Sequence, residues 1–148
     1  MLFRSLAAVI AEKDDTIIEA MRLYGMHLGT AFQLIDDVLD YGSSSKDLGK
    51  NIGDDLSEGK PTLPLIHVIN HGTEAQQQLI RDAIKNRTGM ANLTAVMAAI
   101  EDTKALEYAT LKAQQEVEQA IAAIQFLPES EHKQALIALA RIAVERTH

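Results

Sequence analysis

Gly29-Thr30-Ala31-Phe32-Gln33-Leu34-Ile35-Asp36-Asp37-Val38-Leu39-Asp40 reads as the end of an apolar helix that finishes in three carboxylates. Leu28, Ala31, Phe32, Ile35 and Leu39 recur at helical spacing, so one face is expected to be buried. Asp36 and Asp40 are four residues apart and share a side of the helix. Asp37 is turned about 100° from Asp36, as 3.6 residues per turn requires. The acids crowd the C-terminal end, where the backbone dipole already favours cations. Like charges at this spacing also repel, so two electrostatic penalties meet at one place. A divalent metal relieves both; the bland alternative is a solvated helix end.

Outward from this helix, Tyr41 to Lys60 carries neither a helical nor an alternating apolar pattern. Gly42, Gly49, Gly53 and Gly59 punctuate it, and Lys46, Lys50 and Lys60 alternate with Asp54 and Asp55. A long irregular segment in a small domain is more often functional than not. Carboxylates on a helix followed by loop lysines suit a polyanion held through metal. Mg²⁺ takes a few protein carboxylates together with phosphate oxygens and water, and ammonium groups neutralise the remaining phosphate charge.

The whole chain has 148 residues, a formal net charge of -7 and no basic tract, which argues against nucleic acid as a partner. No run of 18 apolar residues occurs, so no membrane span is expected. Cysteine is absent, which excludes disulfides and thiol chemistry and fits a cytoplasmic location. Aromatic residues are only 4% while Ala, Leu, Ile and Gln abound, a helical composition.

Periodicity predicts helices ending near Ala11, over about 16–40, 62–70 and 73–85, after Asn92, over about 104–126, and after Glu129 or Ser130. Asp14 or Asp15 is the expected N-cap of the long helix and Asn92 that of a later one. Gly25 and Gly29, one turn apart, suggest close approach of a neighbouring helix or ligand. Leu136, Leu139, Ala140, Ile142 and Ala143 are expected to be the buried side of the last helix. His67 and His71 are four apart, but the Glu of a zinc-protease motif is missing between them, and a metal role is not favoured. The fold class is all-α, an antiparallel helical array of about seven helices.

Phe32-Gln33-Leu34-Ile35-Asp36-Asp37-Val38-Leu39-Asp40, then Gly49-Lys50, Gly53-Asp54-Asp55-Leu56 and Gly59-Lys60-Pro61-Thr62-Leu63-Pro64-Leu65, resembles the trans-type polyprenyl diphosphate synthases, at their second aspartate-rich motif and the segment immediately C-terminal to it. The resemblance runs from Leu2-Phe3 to Ile142-Ala143-Val144-Glu145-Arg146. It implies the C-terminal part of an isoprenoid-synthase-type bundle over residues 1–148. It implies Mg²⁺-dependent condensation of isopentenyl diphosphate with an allylic diphosphate. Asp36 and Asp40 would hold Mg²⁺, with Asp37 in support. Lys50 and Lys60 would bind the allylic diphosphate, Gln33 would face substrate, and Asp55 or Asp54 would be the acid between the lysines. Phe32 would line the prenyl pocket, a role that core packing explains equally well; Lys46 has no counterpart.

The family's first aspartate-rich motif, and a Lys-Thr pair expected just ahead of Leu2-Phe3, have no equivalent in the sequence. The chain is therefore expected to be an inactive fragment or truncated product by itself, and oligomeric through exposed apolar faces. The competing readings are a non-catalytic subunit that binds diphosphate or a partner chain, and a helical interaction module without a ligand.

Overall fold

The long apolar periodicity makes one continuous helix, α1, Asp15–Tyr41. At 27 residues it spans roughly 40 Å. Asp14 is its N-cap: the carboxylate accepts the Ile17 N–H at 2.9 Å. Ala20, Tyr24, Leu28, Ala31, Ile35 and Val38 are its buried stripe. Phe32 and Leu39, expected on that stripe, are half-buried. Among the described residues a Cβ at Gly29 would meet nothing within 4 Å, so no neighbouring helix makes a close approach there.

The computed structural model describes residues 8–42 and 54–145, and the side chain of Asp54 lies outside what it describes. Ahead of α1, residues 8–11 of the expected first helix fall within the described part; residues 8–10 are helical and Ala11 is in a turn. After α1 come α2 (Asp54–Ser57), α3 (Leu63–His71), α4 (Glu74–Asn86), a 3₁₀ turn (Met90–Asn92), α5 (Leu93–Asp102), α6 (Ala105–Ala123) and α7 (Glu131–Glu145). The chain is all-α: no strand occurs among the described residues.

Local chemistry sets the boundaries. Pro61 precedes α3, and Pro64 takes a first-turn position where its missing N–H is harmless. Gly72 closes α3 by donating its N–H to the Val68 carbonyl at 2.8 Å. Thr73 then opens α4 with a capping box to Gln76. Asn92 makes no capping bond. The 3₁₀ turn runs straight into α5 instead, and the Asn92 amide donates to the Thr88 carbonyl at 3.4 Å.

Two compact units result, and α1 and α6 contribute residues to each. One unit comprises residues up to Gln33 and from Lys112 onward. Its core includes Tyr24, Leu28, Val117, Ile124 and Ala140. Tyr24 donates its hydroxyl to the Leu136 carbonyl at 2.9 Å, and His27 meets Glu116 at 2.7 Å. α6 stops at Ala123 rather than near 126, because the chain tightens into i→i−3 bonds from Ile124, Gln125 and Leu127. Lys133, 4% exposed, fastens that end: its ammonium donates to the carbonyls of Gln125 (2.7 Å) and Leu127 (2.9 Å) and to Glu129 (2.6 Å). Ser130 caps α7 by accepting the Lys133 N–H at 3.2 Å. On α7, Ala140 and Ala143 are buried as expected, but Leu139 and Ile142 are 43% and 52% exposed. The helix turns Lys133 and Ala140 inward, which puts those two on its outer side.

The second unit, Leu34–Leu111, is built on Tyr41, Leu56, Leu65, Val68, Ile80 and Ile100. It holds the acidic end of α1 together with α2 to α5.

Candidate functional site

Tyr41 extends the buried periodicity of α1 by one more step and is 1% exposed. It anchors the last turn of α1 in the core, so the preceding acids are fixed in direction. Asp37 and Asp40 are 6% and 8% exposed, while Asp36 is exposed. The burial of Asp37 is compensated. Lys60 donates to Asp37 Oδ1 at 3.0 Å and to Asp55 Oδ2 at 2.9 Å. The Asp55 backbone N–H donates to Asp40 Oδ2 at 3.2 Å. One ammonium and one backbone N–H therefore answer the negative end of the helix, where the dipole disfavours carboxylates.

Gly59 sets the approach of Lys60. Its φ is +72°, a region that side chains rarely adopt, and a Cβ there would lie 2.7 Å from the Ile84 carbonyl oxygen. The Lys60 backbone N–H also donates to the Asp55 carbonyl at 2.9 Å, closing a tight turn that aims the lysine back at α1. Desolvation by itself would lower the Lys60 pKa; its hydrogen bonds to Asp55 and Asp37 and their charges outweigh that, and the net shift is upward. Lys60 is a fixed cation.

Below the acids, the Thr62 hydroxyl donates to the Tyr41 hydroxyl at 3.4 Å, with Thr62 only 2% exposed. Burial raises the Tyr41 pKa, helped by the charges of Asp40, Asp55 and Asp37, so the phenol stays neutral. This pair ties the start of α3 to the end of α1. Sequence reasoning placed neither residue at the site. The signal was present in the continued spacing of Tyr24, Leu28, Ala31, Ile35, Val38 and Tyr41.

Of the residues expected at the site, Asp37, Asp40, Asp55 and Lys60 come together, with Asp36 on the same helix end. Gln33 is exposed. Phe32 packs against the core that holds Tyr24 and Leu28, which accounts for its burial. Lys46, Gly49, Lys50 and Gly53 lie outside the described residues, as does the Asp54 side chain.

Among the described residues, no group of three or more His, Cys, Asp or Glu side chains is arranged to hold a metal ion as a closed cage. The donor set still suits Mg²⁺, which is held by one or two carboxylates and completes its shell with phosphate oxygens and water. An exposed Asp36 beside Asp40 offers that open arrangement; Asp37 is turned toward Lys60.

The polyprenyl synthetase family profile matches residues 2–103. The chain is 49% identical over 142 residues to octaprenyl diphosphate synthase of Haemophilus influenzae, covering 96% of this chain and 43% of that protein. It is 53% identical over 123 residues to octaprenyl diphosphate synthase of Escherichia coli, covering 83% and 38%. Among solved structures, a polyprenyl synthase from Caulobacter crescentus, complexed with calcium and isoprenyl diphosphate, superimposes with a TM-score of 0.85 at 38% identity, over 97% of this chain and 44% of that one. A decaprenyl diphosphate synthase from Rhodobacter capsulatus gives 0.86 at 33% identity, over 97% and 45%. The chain spans about two fifths of the length of the curated relatives it matches. Sequence and fold agree that this chain belongs to the polyprenyl synthetase family.

Proposed function

We propose that this chain supplies the diphosphate-gripping part of a prenyltransferase, an octaprenyl diphosphate synthase that condenses isopentenyl diphosphate with an allylic polyprenyl diphosphate in Mg²⁺-dependent steps. The observation that carries the reading is Lys60, fixed between Asp37 and Asp55 at the end of the helix that presents Asp36. Identity near 50% to octaprenyl diphosphate synthases supports the product class, and with it the isoprenoid side chain of ubiquinone. The calcium and isoprenyl diphosphate in the Caulobacter crescentus structure support a divalent metal and a prenyl diphosphate ligand.

Asp36 and Asp40 are the residues assigned to Mg²⁺, with Asp37 holding Lys60 in place. When bound, the metal supplies Lewis-acid neutralisation of the diphosphate charge. Lys60 adds a second positive charge. Its ammonium has three donors, of which Asp37 and Asp55 engage two, and its side chain is 41% exposed. Charge that develops on a departing diphosphate is stabilised by such a pre-positioned cation without rearrangement. Lys50 is assigned to the same diphosphate, Gln33 to the substrate side of the helix, and Phe32 to the wall of the prenyl pocket.

The complete cycle is proposed for a polypeptide of the relatives' full length, working as a cytoplasmic homo-oligomer. For this chain by itself the expected behaviour is binding without elongation. Calorimetry with Mg²⁺ and a bisphosphonate tests the first half: metal-dependent heat supports it, and none with either metal or bisphosphonate overturns it. Incubation with labelled isopentenyl and farnesyl diphosphates tests the second half, where any elongated product refutes the expectation. Binding without elongation also fits the second reading, a diphosphate-binding subunit that works beside a partner chain; adding a full-length synthase and measuring a change in its rate separates the two.

A further inference from the structure

α3 carries a feature that the diphosphate reading does not use. His67 is stacked between two rings, His71 at a centroid distance of 4.2 Å and Tyr108 of α6 at 4.2 Å, with interplanar angles of 23° and 26°. Its Nε2 lies 3.2 Å from the Thr103 carbonyl at the end of α5. A carbonyl only accepts, so Nε2 carries the proton and neutral His67 has a bare lone pair on Nδ1. Among the described residues, that Nδ1 is buried and has no hydrogen-bond partner. His71 has its Nδ1 3.1 Å from the His67 carbonyl, so there too the ring nitrogen donates, and its ring sits exposed at the last turn of α3.

A second proton on His67 would put a charged N–H where no acceptor lies among the described residues, pressed against the His71 ring. The groups in contact with His67 are the His71 and Tyr108 rings and the Thr103 carbonyl. The neighbouring elements carry Glu74 on α4, Glu101 and Asp102 on α5, Lys104 in the α5–α6 turn and Glu107 on α6, all of them exposed.

The geometry points to an acid-sensitive clasp: the His71–His67–Tyr108 stack seats α3 while His67 is neutral and releases it when His67 is protonated, loosening Lys60 just ahead of the other end of that helix. The path is short. α3 is 9 residues long, its front is joined to α1 by Thr62 and Tyr41, and Lys60 lies two residues ahead of Thr62. The direction of the His67 pKa agrees: it is lowered, first by burial and then by the His71 charge, against a smaller opposing effect of the Thr103 carbonyl. A histidine pKa depressed by folding contributes stability that is full above the unfolded value and is lost as pH falls through the folded one.

The test is an NMR titration of the His67 imidazole in the full chain, with melting temperature recorded from about pH 7.5 to 5.5, a range that brackets the ordinary histidine pKa. The expected result is a His67 step displaced below the ordinary histidine value. Melting temperature falls along the His67 step, and the Asp55 amide, which reports the bond to Asp40, shifts with it. His67→Phe keeps a ring against Tyr108 and removes the titration, so the acid loss and the Asp55 shift should flatten. His67 titrating at or above the ordinary histidine value, or an equal acid loss in His67→Phe, overturns the clasp. If His67→Phe does not fold, the position of the His67 step in the unmodified chain decides.

Discussion

Lys60 reaches across 23 residues of sequence to lie 3.0 Å from Asp37, and this contact makes a buried carboxylate tolerable at the negative end of a helix. Removing the cation should expose the cost. Lys60→Met is expected to lose about 1–2 kcal/mol, below the figure for a fully buried pair because solvent screens the lysine. Asp37→Asn in the Lys60→Met background should recover part of it. Urea melts of the two single variants and the double variant measure the coupling; strictly additive losses would mean that the contact contributes nothing.

Asp36 and Asp37 should separate by what each does. Asp36→Asn, at an exposed position, should leave the melting midpoint within about 0.5 kcal/mol while abolishing metal-dependent bisphosphonate heat. Asp37→Asn should lose stability as well. A variant of Asp36 that binds unchanged would remove it from the metal site.

Gly59→Ala should be costly in two ways. The positive φ adds about 1–2 kcal/mol for a residue with a Cβ, and the Ile84 carbonyl 2.7 Å away must also give. Loss of bisphosphonate binding beyond the loss of stability would show that the turn aims Lys60.

Gly29→Ala tests the opposite case. With nothing within 4 Å of the added carbon, helix propensity predicts a gain of up to about 1 kcal/mol. A higher urea midpoint with unchanged ligand heat marks plain surface, whereas a higher midpoint with weakened heat marks space that the ligand occupies.

The helical class and the long α1 were legible because the apolar spacing from Tyr24 to Val38 is strong and uninterrupted. The cap at Asp14 and the helix start at Ser130 were legible from short-range chemistry. The burial of Leu139 and Ile142 was misread because α7 is apolar on more than one side, and only the inward turn of Lys133 and Ala140 decides which side packs. At the site, residue types and spacing gave the acids and Lys60, but the pairing of Lys60 with Asp37 depends on the positive φ of Gly59. The Thr62–Tyr41 contact joins hydroxyls 21 residues apart, which no local pattern signals.

The Lys133 ammonium grips main-chain oxygens, those of Gln125 and Leu127, more than it grips side chains. The connection between α6 and α7 can therefore drift in side-chain identity with little structural consequence, provided its length and the single lysine are kept. A surface tag or label grafted at Gln125 or at Phe126, which already stands 56% exposed, should be accommodated, whereas replacing Lys133 would strand two carbonyls at once.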